Sequence, residues 1–149
     1  MDRAPVVRSF DAEFLNRLVN DPSTEAGRLG LKDLDLTEVL ADHDNVFLAN
    51  DYGGFLFVRD RDVYEVHTNF LPRGRGAKVY DAARAAAFFM FTETDCLAIR
   101  TMVPRGNVAA KALTERMGFT RWGDTEVNGV ECGLYMLTLK EWCRRHKCR

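Results

Sequence analysis

The chain has 149 residues, 46% of them apolar, with 21 Lys+Arg against 22 Asp+Glu and a formal net charge of −1. That length and apolar fraction suit a single domain, expected over 1–149, with a core of its own. The near-balanced charge excludes a polybasic binder of nucleic acid or anionic membrane, and the longest apolar run, residues 85–91, is far shorter than the ~20 residues of a transmembrane helix.

Met1-Asp2-Arg3 leads into no apolar stretch of the kind a secretory signal carries, so the expected location is the cytoplasm. The first predicted element is a helix over 11–20, where Phe10, Phe14 and Leu18 recur at helical spacing, with Ser9 as N-cap. Asp21-Pro22-Ser23 ends it. A polar loop then leads to a second helical stretch over 34–41. Three strands follow over 45–50, 55–59 and 63–71, separated by turns at 51–54 and 60–62, and such short connections imply an antiparallel meander.

Pro72 closes the third strand, and Arg73-Gly74-Arg75-Gly76 forms a loop before a helix rich in alanine begins at Ala77. A strand over 96–103 comes next. Strand, helix and strand at this separation predict a right-handed crossover with the two strands parallel. Asn107 is a good N-cap for a helix running to Met117, and Gly118 suits its C-cap. Strands over 119–127 and 130–139 are joined by Asn128-Gly129, a strong hairpin signal. Residues 140–149 read as a basic tail or a short helix. The expected class is a mixed α/β sheet: an antiparallel meander, a βαβ crossover and a C-terminal hairpin.

The cysteines Cys96, Cys132, Cys143 and Cys148 form no C-x-x-C pair and read as reduced thiols. Cys143, His146 and Cys148 fall short of the four ligands of a structural zinc, so no metal is expected. The loop of 73–78 is the first chemical feature. Glycines between a strand and a helix N-terminus let an anion approach the backbone N–H groups, and Arg73, Arg75 and Lys78 add mobile positive charge. On the preceding strand, alternation places Glu65, His67 and Asn69 on one face. His67 has the side chain best suited to general-base work, with Glu65 behind it. His43 reads as a solvated turn residue.

Asn107-x-x-Ala110-x-Ala112-Leu113-x4-Gly118-Phe119, following the βαβ unit, resembles the second cofactor motif of the GNAT (GCN5-related N-acetyltransferase) superfamily, and residues 70–91 resemble its first. The resemblance covers about residues 45–139 and is closest over 72–119. The pattern His67-Thr68-x-Phe70-Leu71-Pro72 with Arg75-Gly76 is also similar to short bacteriophage-encoded acetyltransferases, for which the location would be the host cytoplasm. The resemblance implies a GNAT-like acyl-CoA N-acyltransferase fold that uses acetyl-CoA. By the same resemblance the main chain of Asn69, Phe70 and Leu71 would grip the pantetheine, while Arg73, Gly74, Arg75, Gly76, Ala77 and Lys78 would hold the pyrophosphate. Asn107 would reach the cofactor. The family loop fits in two registers, one starting at Arg73 and keeping Gly76, the other starting at Arg75 and placing Val79.

Thr114 stands where family members often carry a tyrosine that protonates the leaving thiolate, and Tyr135 is the substitute candidate. The acceptor would be an amine of a small molecule, a protein or a modified phage nucleobase. It would be met by residues 20–32, among them Ser23, Thr24, Glu25 and Arg28. Trp122 and Trp142 are candidates for stacking on a flat acceptor. A homodimer is the expected assembly, and the alternative function is a catalytically weak or inactive GNAT-fold module that binds CoA or serves as an interaction part of a phage assembly.

Overall fold

A computed structural model describes residues 5–146. Seven strands form one mixed sheet: β1 (Val7–Arg8), β2 (Val46–Asn50), β3 (Gly53–Asp60), β4 (Val63–Phe70), β5 (Ala98–Pro104), β6 (Thr120–Val127) and β7 (Val130–Thr138), in the spatial order β1-β2-β3-β4-β5-β7-β6. Five α-helices accompany it: α1 (Ala12–Asn20), α2 (Thr37–Ala41), α3 (Ala77–Glu93), α4 (Val108–Arg116) and α5 (Leu139–His146). The crossover through α3 makes β4 and β5 the parallel pair, as the spacing predicts, and every other pairing is antiparallel.

Both faces of the central sheet are covered, so β2 and β3 read as nearly unbroken apolar runs. Alternation sorts them. Val46, Leu48, Phe55 and Phe57 join Tyr64, Ile99 and Leu137 in the core under α3, α4 and α5. Phe47, Ala49 and Leu56 pack with Leu15, Leu18 and Val19 of α1 and Leu40 of α2. Ala82, Ala83, Ala86 and Ala87 form the buried stripe of α3, and their small side chains let this long helix lie close to the sheet.

Several boundaries differ from the sequence expectation. Asp11, rather than Ser9, caps α1: its Oδ1 accepts from Phe14 N–H at 3.0 Å, while Ser9 Oγ accepts from Asp11 N–H at 3.2 Å. Gly53 and Gly54 lie inside β3 instead of in the turn. A Cβ on Gly53 would come within 2.4 Å of Asn69 O, and one on Gly54 within 2.6 Å of Leu48 O, so these glycines serve close strand packing. The basic end of the chain is helical through His146, and Trp142 of α5 is buried beside Phe88 and Phe91. No described helix is long and apolar enough to cross a membrane.

The hairpin at Asn128-Gly129 has φ of 51° and 78°, the left-handed pair that a tight two-residue turn demands. Cys148 lies outside the described residues. His146 stacks on Trp142 at 4.5 Å and its Nδ1 lies 2.9 Å from Trp142 O.

Candidate active site

The parallel pairing of β4 with β5 lasts three rungs, Val63–Ala98, Tyr64–Ile99 and Glu65–Arg100, and then the strands part. A cleft of about 460 Å³ opens in the fork. Its walls are β4 from Glu65 to Phe70, β5 from Thr101 to Pro104, the start of α3 and the inner face of α4; Ser23, Thr24, Ala26, Gly27 and Leu29 cover one side.

The edge of β4 in this fork is open backbone. Leu71 N–H donates to Tyr52 O at 2.8 Å, so position 71 faces β3. Alternation then turns Asn69 toward β3 as well and directs the N–H and C=O groups of Thr68 and Phe70 into the cleft. Thr101 Oγ1, 3.5 Å from Val66 O at the crotch, and Arg75 Nε, 2.9 Å from Phe70 O, agree with that phase. Of the three main-chain positions named from the sequence, Phe70 turns its N–H and C=O groups into the cleft and Asn69 does not. Leu71 is committed to the sheet, and Thr68 is the neighbour that sequence reasoning missed. Locating an open edge requires the pairing partner of the other edge, which no local pattern carries.

The loop of 73–76 is more ordered than its glycines suggest. Residues Pro72–Gly74 make a 3-10 turn, and Gly74 is buried where a Cβ would strike Tyr52 Cβ at 2.5 Å. Gly76 is the N-cap of α3, with φ +89° and open space around it. Here glycine is needed for the backbone conformation. Arg73, Ala77 and Lys78 are exposed and do not line the cleft, whereas Arg75 does. Arg75 is not the mobile charge expected: its guanidinium donates to Phe70 O and, at 2.6 Å, to Ser23 O.

On the face of β4 toward α1, Glu65 and His67 meet. His67 Nε2 lies 3.0 Å from Glu65 Oε2, and Arg100 Nε donates to Glu65 Oε1 at 3.1 Å. Arg100 Nη2 reaches Asp60 Oδ2 at 3.3 Å. The hydrogen bond from His67 holds the Glu65 carboxyl below its ordinary value of 4.5; burial opposes this, and the charges of His67 and Arg100 add to it. An ionised Glu65 is a pure acceptor, so Nε2 of His67 must be the donor, and when the ring is neutral its lone pair is on Nδ1. Arg100 escaped the sequence reading, although a charged residue in the middle of an apolar strand was the available signal.

Asn107 lines the cleft and caps α4, its Oδ1 accepting from Ala110 N–H at 3.2 Å. Asn107→Ala is expected to cost about 1 kcal/mol of stability and Asn107→Asp much less, as read by urea unfolding. Thr114 is buried and donates to Ala110 O at 2.7 Å. Tyr80 and Arg116 also line the cleft, the guanidinium 3.7 Å from the Tyr80 ring centre. Neither was read from the sequence, where they lie 36 positions apart.

Tyr135 does not join these residues. It sits on β7 opposite Thr101, its ring over Gly133, and lines an adjoining cavity of about 690 Å³ with Arg121, Asp124 and Glu131, which shares Val103, Pro104 and Asn107 with the cleft. Its Arg105–Glu131 pair is exposed, and no histidine lines it. Neither tryptophan lines the cleft: Trp142 is core, and Trp122 points outward at the irregularity between Arg121 and Gly123.

No family model and no curated protein matches the chain. Solved structures do. A spermidine N-acetyltransferase from Vibrio cholerae, in complex with CoA and spermine, superposes with a TM-score of 0.75 at 15% identity, over 94% of this chain and 99% of that one. A GNAT-family acetyltransferase from Bacillus anthracis gives 0.66 at 17% identity over 89% and 92%, and a probable acetyltransferase 0.65 at 22% over 89% of each chain. The likeness is one of fold.

Proposed function

We propose that this chain, which has the mixed α/β fold of the GNAT acyltransferases, is an acetyl-CoA-dependent N-acetyltransferase acting on a primary amine. The observation that carries the reading is the fork itself: β4 backbone at Thr68 and Phe70, outside the β4–β5 ladder and with only Phe70 O taken by Arg75, lies between the N-terminus of α3 and a histidine–carboxylate pair. The pantetheine amides match that open edge as an added strand would. The pyrophosphate fits the N-terminus of α3, where Gly76 leaves room and the helix dipole favours negative charge. This favours the loop register that keeps Gly76, because Lys78 and Tyr80 lie inside the helix.

His67 accepts the proton of the incoming ammonium on Nδ1, and Glu65 steadies the imidazolium through Nε2–H. The neutral amine attacks the thioester carbon. The new N–C bond forms as the C–S bond breaks, the electron pair leaves with sulfur, and the proton remaining on the acylated nitrogen passes to the departing thiolate, directly or through water. A β4 N–H in the fork is placed to steady the developing oxyanion. A thiolate is a good enough leaving group to depart without a dedicated acid. This suits a site where Thr114 is bonded to Ala110 O and Tyr135 lines the adjoining cavity rather than the cleft.

Calorimetric titration with acetyl-CoA tests the reading. Micromolar binding is expected, and Lys78→Glu, a charge reversal on an exposed first-turn residue, should weaken it about tenfold with an unchanged melting temperature. Absence of binding by the wild-type chain sinks the assignment.

A further inference from the structure

We infer that the acceptor is a primary monoamine carried on an uncharged, largely apolar body, and that polyamines are disfavoured. The inference rests on the acetyltransferase reading of the same cleft. Among the described residues that line it, Glu65 carries the only carboxylate. Both of its oxygens are engaged, Oε1 by Arg100 and Oε2 by His67. The other charged side chains in the lining are cations, Arg75 and Arg116.

The acceptor side adds no negative charge. Glu65, His67 and Asn69 share their face of β4 with Arg100, Met102 and Pro104 of β5, by register and alternation. Thr24, Ala26, Gly27 and Leu29 stand across from them, and Gly27 is close enough that a Cβ there would lie 3.9 Å from Asn69 Oδ1. An amine that enters here meets one base and neutral walls. It can lose its proton to His67 and become neutral. Every further ammonium of a polyamine keeps its charge and finds no free carboxylate in the lining. The chain therefore differs in acceptor chemistry from the Vibrio cholerae enzyme, whose name specifies spermidine.

Thiol release from acetyl-CoA measures the preference, with n-hexylamine and phenethylamine set against spermidine. The monoamines are expected to show kcat/KM at least about tenfold above spermidine. Ala26→Glu, which places a carboxylate on an exposed position of the neutral wall, should raise spermidine relative to n-hexylamine by about tenfold. Spermidine preferred by the wild-type chain, an unmoved ratio in the variant, or turnover of none of the three amines by protein that binds acetyl-CoA overturns the inference and leaves the cofactor assignment standing. Failure to bind acetyl-CoA at all removes both.

Discussion

His67→Ala is expected to lower kcat/KM about 10²- to 10⁴-fold, the range in which a positioned general base contributes, while acetyl-CoA affinity stays the same. The two readouts separate because His67 bears on the amine side of the fork and the cofactor contacts belong to the β4 backbone and the α3 N-terminus. The residual rate of the variant should lack whatever acid limb this base imposes on the wild-type rate. Glu65→Gln should lose less, because the amide oxygen still accepts from Nε2–H but no longer offsets the imidazolium charge. A variant that keeps both the wild-type rate and its pH profile would remove His67 from the mechanism. Stopped-time thiol release across pH 5–9 and a parallel calorimetric titration decide it.

Gly53→Ala should destabilise the fold by about 3 kcal/mol, the upper end for forcing an extra methyl into a packed interior. The added carbon would meet Asn69 O at 2.4 Å, Phe70 Cα at 2.6 Å and the Phe70 ring at 2.7 Å. Two of these atoms are backbone, so the relief must come from moving β4 itself, at the residues that form the cleft wall. Acetyl-CoA binding should therefore weaken even below the melting transition. Gly27→Ala is the contrast. Its nearest neighbours are 3.8 and 3.9 Å away and it has no positive φ, so its stability should stay within a fraction of a kcal/mol. Urea unfolding of both variants makes the comparison. Equal midpoints would mean that β3 and β4 tolerate separation.

Elements whose signal is local were legible in the sequence. The Asn128-Gly129 hairpin, the alanine stripe of α3 and the strand–helix–strand crossover each announce themselves within a short window. So did the alternation that joins Glu65 to His67, two positions apart on one face. Partnerships across the fold were not legible. Arg100 reaches Glu65 only because β5 lies beside β4 in that register, and Tyr80 meets Arg116 only because α3 and α4 flank one cleft. The two residues of β1 are too few to show a period. Glycine misled twice for one reason. At Gly53 and Gly74 the missing Cβ makes room for a neighbour, whereas the sequence suggests a turn or a phosphate loop, because glycine fits either need.

The insertion of β7 between β5 and β6 also bears on how the protein is made. As the chain leaves the ribosome, β4, α3 and β5 can assemble early, but β5 acquires its outer neighbour only after α4 and β6 have been synthesised. Until then it is a raw margin able to pair with another nascent chain. Trp142, which closes the space beside Phe88 and Phe91, arrives later still. The wall of the acceptor cleft is thus among the last parts to be secured during synthesis.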